Sequence, residues 1–268
     1  MLRKLLKHEF RATGRIMGPL YLVLLVTAVG ANFSTRGLLE GDGWFLDMLG
    51  GLLVIAFTVA IMGVCLMSLV LMVQRFYRNL LGDEGYVMMT LPVSIHQQIW
   101  SKLIVSAVWF AATFLAVCLA GGIMVYDVDF MKQFLKGLGE LIQHITGYYA
   151  INGAALAAEL ILLAFLSCCA MCLLFYAAMA AGHSFANRKS LLSVAFFFGF
   201  QFALQIISAT VVNLLDKIGV FDLLPDWQLE GLAGMHIAIW IGIAAVVLYG
   251  AVFYFITAYC LKRHLNLE

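Results

Sequence analysis

Charge is what this sequence has least of. Asp, Glu, Lys and Arg make up 12% of its 268 residues, against about 25% in a soluble domain. Hydrophobic residues make up 64%, where about 45–50% is usual. No water-soluble core could cover that much apolar surface, so a soluble fold is excluded and the bilayer is the solvent for most of the chain. The net charge of +1 supplies no basic field of the kind nucleic acid requires, and no nucleic-acid partner is expected.

Catalytic and cofactor signatures are missing as well. The six histidines are scattered, with no His-x-x-x-His pair to hold a metal. There is no defensible Ser-His-Asp order, no carboxylate pair with glycosidase logic and no dinucleotide glycine fingerprint. The stretch closest to a Walker A loop, Gly182 to Ser190, ends in Arg-Lys-Ser and lacks the glycine before lysine. The chain is therefore expected to be no catalyst by itself and to bind no metal or cofactor directly. If ATP drives it, ATP and Mg bind in another chain.

Six cysteines are present, Cys65, Cys118, Cys168, Cys169, Cys172 and Cys260, all within apolar segments. A disulfide framework would place them in extracytoplasmic loops. Cys168, Cys169 and Cys172 fall together on one helix. A soft-metal site is one reading of them; small packing residues in a membrane helix is the better one.

What is present is a set of long apolar runs. A spanning helix needs about 20 such residues, and six windows qualify, near 16–33, 51–74, 102–125, 150–180, 191–214 and 234–260. The expected fold is all-α, a polytopic membrane protein of six transmembrane helices. Segments 1–15, 75–102, 181–190 and 261–268 carry twelve of the sixteen Lys and Arg, which places them and both termini in the cytoplasm. Ten of the fifteen acids fall in the three loops left outside.

Residues 1–15, MLRKLLKHEFRATGR, put Leu2, Leu5, Leu6 and Phe10 on one helical face and Arg3, Lys4, Lys7, Arg11 and Arg15 around the rest. This fits an amphipathic helix in the inner headgroup layer, or a plain topogenic basic head, before a transmembrane domain over 16–268. Pro19 is expected to kink or start the first span. In the outer loop 126–149, Phe130, Phe134, Leu138, Leu141, Ile142 and Ile145 form an apolar stripe, with Lys132, Lys136 and Glu140 facing away, which predicts a short surface or interfacial helix. Loop 215–233, with Pro225 and Trp227, reads as an ordered outer turn.

The loop RFYRNLLGDEGYVMMTLPVSIHQQIWSK, 75–102, is the densest in mixed chemistry. Gly82 is suited to end the preceding helix in a left-handed cap. Asp83, Glu84 and Tyr86 follow in a short amphipathic stretch, Pro92 breaks it, and Ser94 can cap the next helix. An exposed helix with acid and aromatic residues between two spans is a docking element; an ordinary connection is the plainer alternative.

This run resembles the first cytoplasmic loop of bacterial ABC-2-type transporter permeases. The resemblance rests on Gly82-Asp83-Glu84-Gly85-Tyr86, Thr90-Leu91-Pro92 and Ser101-Lys102. The basic LxKHEF-type start and the stretch YAAMAAGHSFANRKSLL around Gly182 and His183 are similar to the same family. The resemblance implies a permease subunit that pairs with a second permease subunit, in a homo- or heterodimer, and is moved by a cytoplasmic ABC ATPase subunit. It assigns the coupling helix to Gly82, Asp83, Glu84, Gly85, Tyr86, Leu91 and Pro92, with Met88 and Met89 beside them. It implies export of a hydrophobic or amphipathic cargo, such as a peptide or lipid, across a bacterial plasma membrane.

Polar residues within the spans are few. Glu159 is the single acid there, and no Lys or Arg lies in a span to meet it. A charge at mid-bilayer costs a few kcal/mol, so Glu159 is expected to be protonated and hydrogen-bonded to a neighbour. It is either a proton or substrate site or a tie between helices. Gln201, Gln205 and Ser208 share a face of span five and line a pathway, form a subunit contact, or pair helices. The resemblance favours a pathway lining or a subunit contact over plain helix pairing. Asn152 and His236 are read as interfacial. The alternatives to the permease are a secondary transporter or channel, a membrane immunity or assembly factor without transport, and an intramembrane enzyme.

Overall fold

The computed structural model describes residues 2–34, 44–82, 93–126, 153–185, 188–219 and 232–263, with scattered positions within 85–90 and 132–143. Six helices account for nearly all of them: α1 Leu2–Phe33, α2 Trp44–Phe76, α3 Ile95–Met124, α4 Gly153–Gly182, α5 Lys189–Lys217 and α6 Leu232–Arg263. Each is long and apolar enough to cross a membrane. The chain is thus an all-α, six-helix, multi-pass membrane protein, as its apolar runs predict. Its outer surfaces are paved with exposed Leu, Val, Ile and Phe, the inverse of a soluble protein and the condition for contact with lipid.

The helices belong to two compact units, Met1–Gln74 with Ile104–Gly139, and Arg75–Leu103 with Glu140–Glu268. In the first unit α1, α2 and α3 meet around Leu24, Ala28 and Ala31 of α1, Phe57 and Val64 of α2, and Ala120 of α3, all buried. Alanine at three of these six positions lets backbones approach, which drives association where lipid is as apolar as the core. Polar ties fix the register of α1 on α3. Trp109 Nε1 donates to Thr13 Oγ1 at 2.7 Å, and Tyr21 OH lies 2.8 Å from Thr113 Oγ1. Asn32 Nδ2 donates to Met124 O at 2.9 Å. Each tie satisfies groups that hydrocarbon would leave bare.

The basic segment and the first span are one uninterrupted helix, which passes through Pro19. Arg3, Lys4, Lys7, Arg11 and Arg15 are exposed, as the amphipathic pattern requires. The centre of the buried face, however, is Glu9, Thr13 and Met17, with Leu5, Leu6 and Phe10 on its borders. Thr13 explains the rotation: its hydroxyl donates to Glu9 O at 2.8 Å while accepting from Trp109, and that pair draws its face inward.

In the second unit α4 packs on both α5 and α6. α4 and α6 run parallel in steady register, with Gly242 against Leu163 and Gly250 against Leu173 and Ala170. α5 is peripheral, and none of its residues is buried. Between the helices, Lys132, Lys136 and Glu140 are helical and exposed; the stripe Phe130 to Ile145, Asn152, Pro225 and Trp227 lie outside the described residues.

Candidate functional site

The end of the second unit that carries Arg75, Arg78, Lys102, Arg188, Lys189, Lys262 and Arg263 brings together Phe76, Tyr77, Trp100, Tyr176 and Tyr254 with two histidines, His96 and His183. α2 does not stop cleanly there. It widens into a π turn, Tyr77–Leu81, closed by Gly82 N–H donating to Tyr77 O at 2.8 Å. Such turns insert an extra residue per turn and are frequent at functional sites. Asn79, Leu80 and Leu81 are buried. Gly82 is extended at φ −96°, ψ −167°, which corrects the expected left-handed cap. The wide turn already aims the chain away from the helix axis, so no positive φ is required.

Two ring contacts hold this turn. Phe76 stacks on Tyr176 of α4, centroids 4.1 Å apart and planes within 7°, and both rings are fully buried. Tyr77 meets His183 edge-on at 5.3 Å. His183 is 3% exposed. Its Nδ1 lies 2.9 Å from Met179 O, which can only accept, so Nδ1 carries the hydrogen. Ser193 Oγ stands 3.4 Å from the same nitrogen. Burial pushes the His183 pKa below its ordinary value, the Met179 bond opposes this, and the Lys189 charge adds to the lowering.

The corner between α4 and α5 is closed backbone to backbone. A Cβ on Gly182 would stand 2.6 Å from Ser193 Cα, closer than any side chain permits. Arg188, capping α5, holds φ +54°, a left-handed conformation uncommon for a residue with a Cβ.

Beyond Gly82, Gly85 is helical and buried, its N–H donating to Gly82 O at 2.8 Å. Thr90 is helical and exposed. Asp83, Glu84, Tyr86, Met88, Met89, Leu91 and Pro92 lie outside the described residues. The chain returns through Ser94, which caps α3 by accepting from Gln97 N–H at 3.3 Å. Gln98, Ile99, Ser101, Lys102 and Leu103 are buried. His96 Nδ1 lies 2.6 Å from Tyr254 OH, and Trp100 leans on the same ring at 5.9 Å. Both flanks of segment 82–92 are thus anchored.

At the opposite end of this unit, Glu159 is 16% exposed and finds its partners on α6. His236 Nδ1 lies 2.7 Å from Glu159 Oε2, and Trp240 Nε1–H donates to Oε1 at 3.1 Å. His236 and Trp240 lie one turn apart, so one carboxylate spans both. His236, read from sequence as interfacial, is the neighbour that Glu159 was expected to find. Glu159 sits six residues into a 30-residue helix. At 1.5 Å per residue that helix is about 45 Å long, against about 30 Å of hydrocarbon, so Glu159 lies near the lipid boundary rather than at mid-bilayer. An exposed Trp240 suits that depth.

The polar face of α5 stays apart from both sites. Gln201 and Gln205 are exposed, and Ser208 Oγ donates to Gln205 O at 3.0 Å within its own helix. Among the described residues, no three His, Cys, Asp or Glu side chains gather as a metal site, and Cys168, Cys169 and Cys172 are free thiols.

Neither protein-family descriptions nor curated proteins nor solved structures match the chain.

The site residues that sequence reasoning missed are Phe76, Tyr77, Tyr176 and the role of His183. Aromatic residues near helix ends carry no pattern of their own, and only the juxtaposition of α2 with α4 reveals them.

Proposed function

We propose that the chain is the permease subunit of an ATP-driven exporter of the ABC-2 type, set in a bacterial plasma membrane with both termini in the cytoplasm. Two permease subunits pair, and each is worked by a separate ATPase subunit that binds ATP and Mg. That subunit docks on Gly82, Asp83, Glu84, Gly85, Tyr86, Leu91 and Pro92. The cargo is hydrophobic or amphipathic, a peptide or lipid. One observation carries the reading: segment 82–92 leaves a π turn whose Asn79, Leu80 and Leu81 are buried and returns into a capped helix in which Gln98 and Ile99 are buried. A push on such a segment reaches the spans instead of being absorbed by slack. The loop sequence and the placement of Lys and Arg support it independently.

The test is purification of the tagged chain in mild detergent, followed by ATPase assay, with Asp83→Ala and Glu84→Ala alongside. The reading expects a co-purifying ATP-binding subunit that the variants lose or uncouple. A chain that purifies alone, with no associated ATPase, overturns it.

The Glu159–His236 pair favours a second reading, a secondary transporter in which that pair handles a proton. It expects no ATPase partner and loss of transport in Glu159→Gln at unchanged stability.

A further inference from the structure

We propose that Phe76, Tyr77, Tyr176 and His183 form the joint through which segment 82–92 drives the corner between α4 and α5, with Tyr77 and His183 as its positioning residues. This rests on the permease reading and names how force leaves the docking segment.

The chain offers segment 82–92 two ways into the second unit, forward through Ser94 into α3 and backward through Gly82 into the π turn. The backward path meets α4 at once. Gly82 N–H is bonded to Tyr77 O, so displacement of Gly82 pulls on the residue whose ring abuts His183. The preceding residue, Phe76, lies flat on Tyr176 with no solvent between them. Two successive side chains, the last of α2 and the first of the π turn, thus grip α4 within its last two turns and at the residue just past it.

What they grip is stiff. His183 is tied to Met179 O and lies within 3.4 Å of Ser193 Oγ. Gly182 brings α4 so close to Ser193 that an added Cβ would meet the Ser193 Oγ, N and Cα together. Close-packed groups transmit displacement because they have no room to absorb it. The π turn supplies the compliance on the α2 side, since its surplus residue lets the turn rewind without breaking the helix. From the corner, α4 carries the motion along the whole of its contact with α6.

The experiment compares wild type, Tyr77→Ala, Tyr77→Phe and His183→Gln as complexes with the captured ATPase subunit, in nanodiscs. Three quantities are read: the amount of ATPase subunit bound, the KM for ATP, and the ratio of kcat in the complex to kcat of the free ATPase subunit. Tyr77→Ala and His183→Gln are expected to bind the subunit and leave KM unchanged while the kcat ratio moves toward one by at least about fivefold, the low end of ordinary coupling energies. Tyr77→Phe keeps the ring and is expected to behave as wild type. His183→Gln reads the joint alone where Tyr77→Ala does not fold. A kcat ratio unchanged in folded His183→Gln and Tyr77→Ala overturns the joint while leaving the permease reading standing. Loss of subunit binding in both variants overturns it too, since the residues would then belong to the docking surface. Absence of any ATPase subunit on wild type overturns the permease reading itself, and the joint with it.

Discussion

Glu159 and His236, 77 residues apart in sequence, face each other across α4 and α6 with Oε2 and Nδ1 at 2.7 Å. Trp240 occupies the other carboxylate oxygen. Because both oxygens are engaged, truncation strands two partners at once. Glu159→Ala is expected to destabilise the α4–α6 pair by about 1–3 kcal/mol, the cost of leaving a polar group unsatisfied. Glu159→Gln, which keeps one acceptor, is expected to lose less. Thermal unfolding in detergent reads both. A Glu159→Gln protein of wild-type stability that has lost transport would move the residue from tie to pathway.

Gly182→Ala tests the corner directly. The added Cβ would collide with Ser193 Cα and N, which are backbone atoms and cannot rotate away. Separation of the helix ends follows, at about 1–3 kcal/mol or more. Ser193→Gly in the same chain is expected to give partial rescue at most, because it removes the Oγ that the Cβ would also meet but leaves Ser193 N and Cα in place. Full rescue would mean that the contact is made by the Ser193 side chain instead.

Arg188 is expected to tolerate glycine and to resist branching at Cβ. Its φ of +54° costs a side-chain-bearing residue about 1–2 kcal/mol. Arg188→Gly relieves that strain but adds freedom to the unfolded chain, so its net effect is close to zero. Arg188→Val is expected to lose about 1–2 kcal/mol. Equal stability of the two variants, measured by chemical unfolding, would remove the strain argument.

His183 gives the fold a pH dependence of known sign. Its folded pKa is lowered, so the folded ring resists a proton that the unfolded ring accepts. Stability is therefore expected to be complete above about pH 6.5, the ordinary imidazole value, and to fall as acid takes the pH below it, levelling once the folded pKa is passed. His183→Gln removes this component. The difference in Tm between wild type and variant, followed from pH 7.5 down to 5, isolates it from the other histidines. A difference that is flat with pH, or that grows in favour of wild type in acid, contradicts the burial argument.

The six helices were legible because a bilayer imposes one demand, about 20 apolar residues in a row, and each of the six windows meets it. Ser94 was legible as a cap because capping is local chemistry. The rest depended on distance. Nothing near Glu159 announces that its partners are His236 and Trp240. The buried face of α1 follows Glu9, Thr13 and Met17 because of Trp109, almost a hundred residues on, whereas leucine spacing alone points to its border. The π turn leaves no trace in hydrophobic period, since Tyr77–Leu81 reads equally well as α-helix. Gly182 is an ordinary glycine until Ser193 is placed against it.

α5 supplies the last prediction. None of its residues is fully buried, and it carries Gln201 and Gln205, both exposed, one turn apart on an otherwise apolar surface. Amide groups facing hydrocarbon are costly, and a second copy of this chain is the expected partner to take them up, Gln201 of one opposite Gln205 of the other. Such hydrogen bonds contribute only about 0.6 kcal/mol each on average in membranes, so Gln201→Leu with Gln205→Leu, which removes both symmetry-related pairs, is expected to weaken a dimer by a little under about tenfold without abolishing it. Single cysteines introduced at these positions in a cysteine-free chain should cross-link between subunits, whereas one at Phe255 on α6, equally exposed, should not. Cross-linking at Phe255 and none at Gln201 or Gln205 would put the contact on another helix and return the two glutamines to the choice between a pathway lining and a subunit of a different kind.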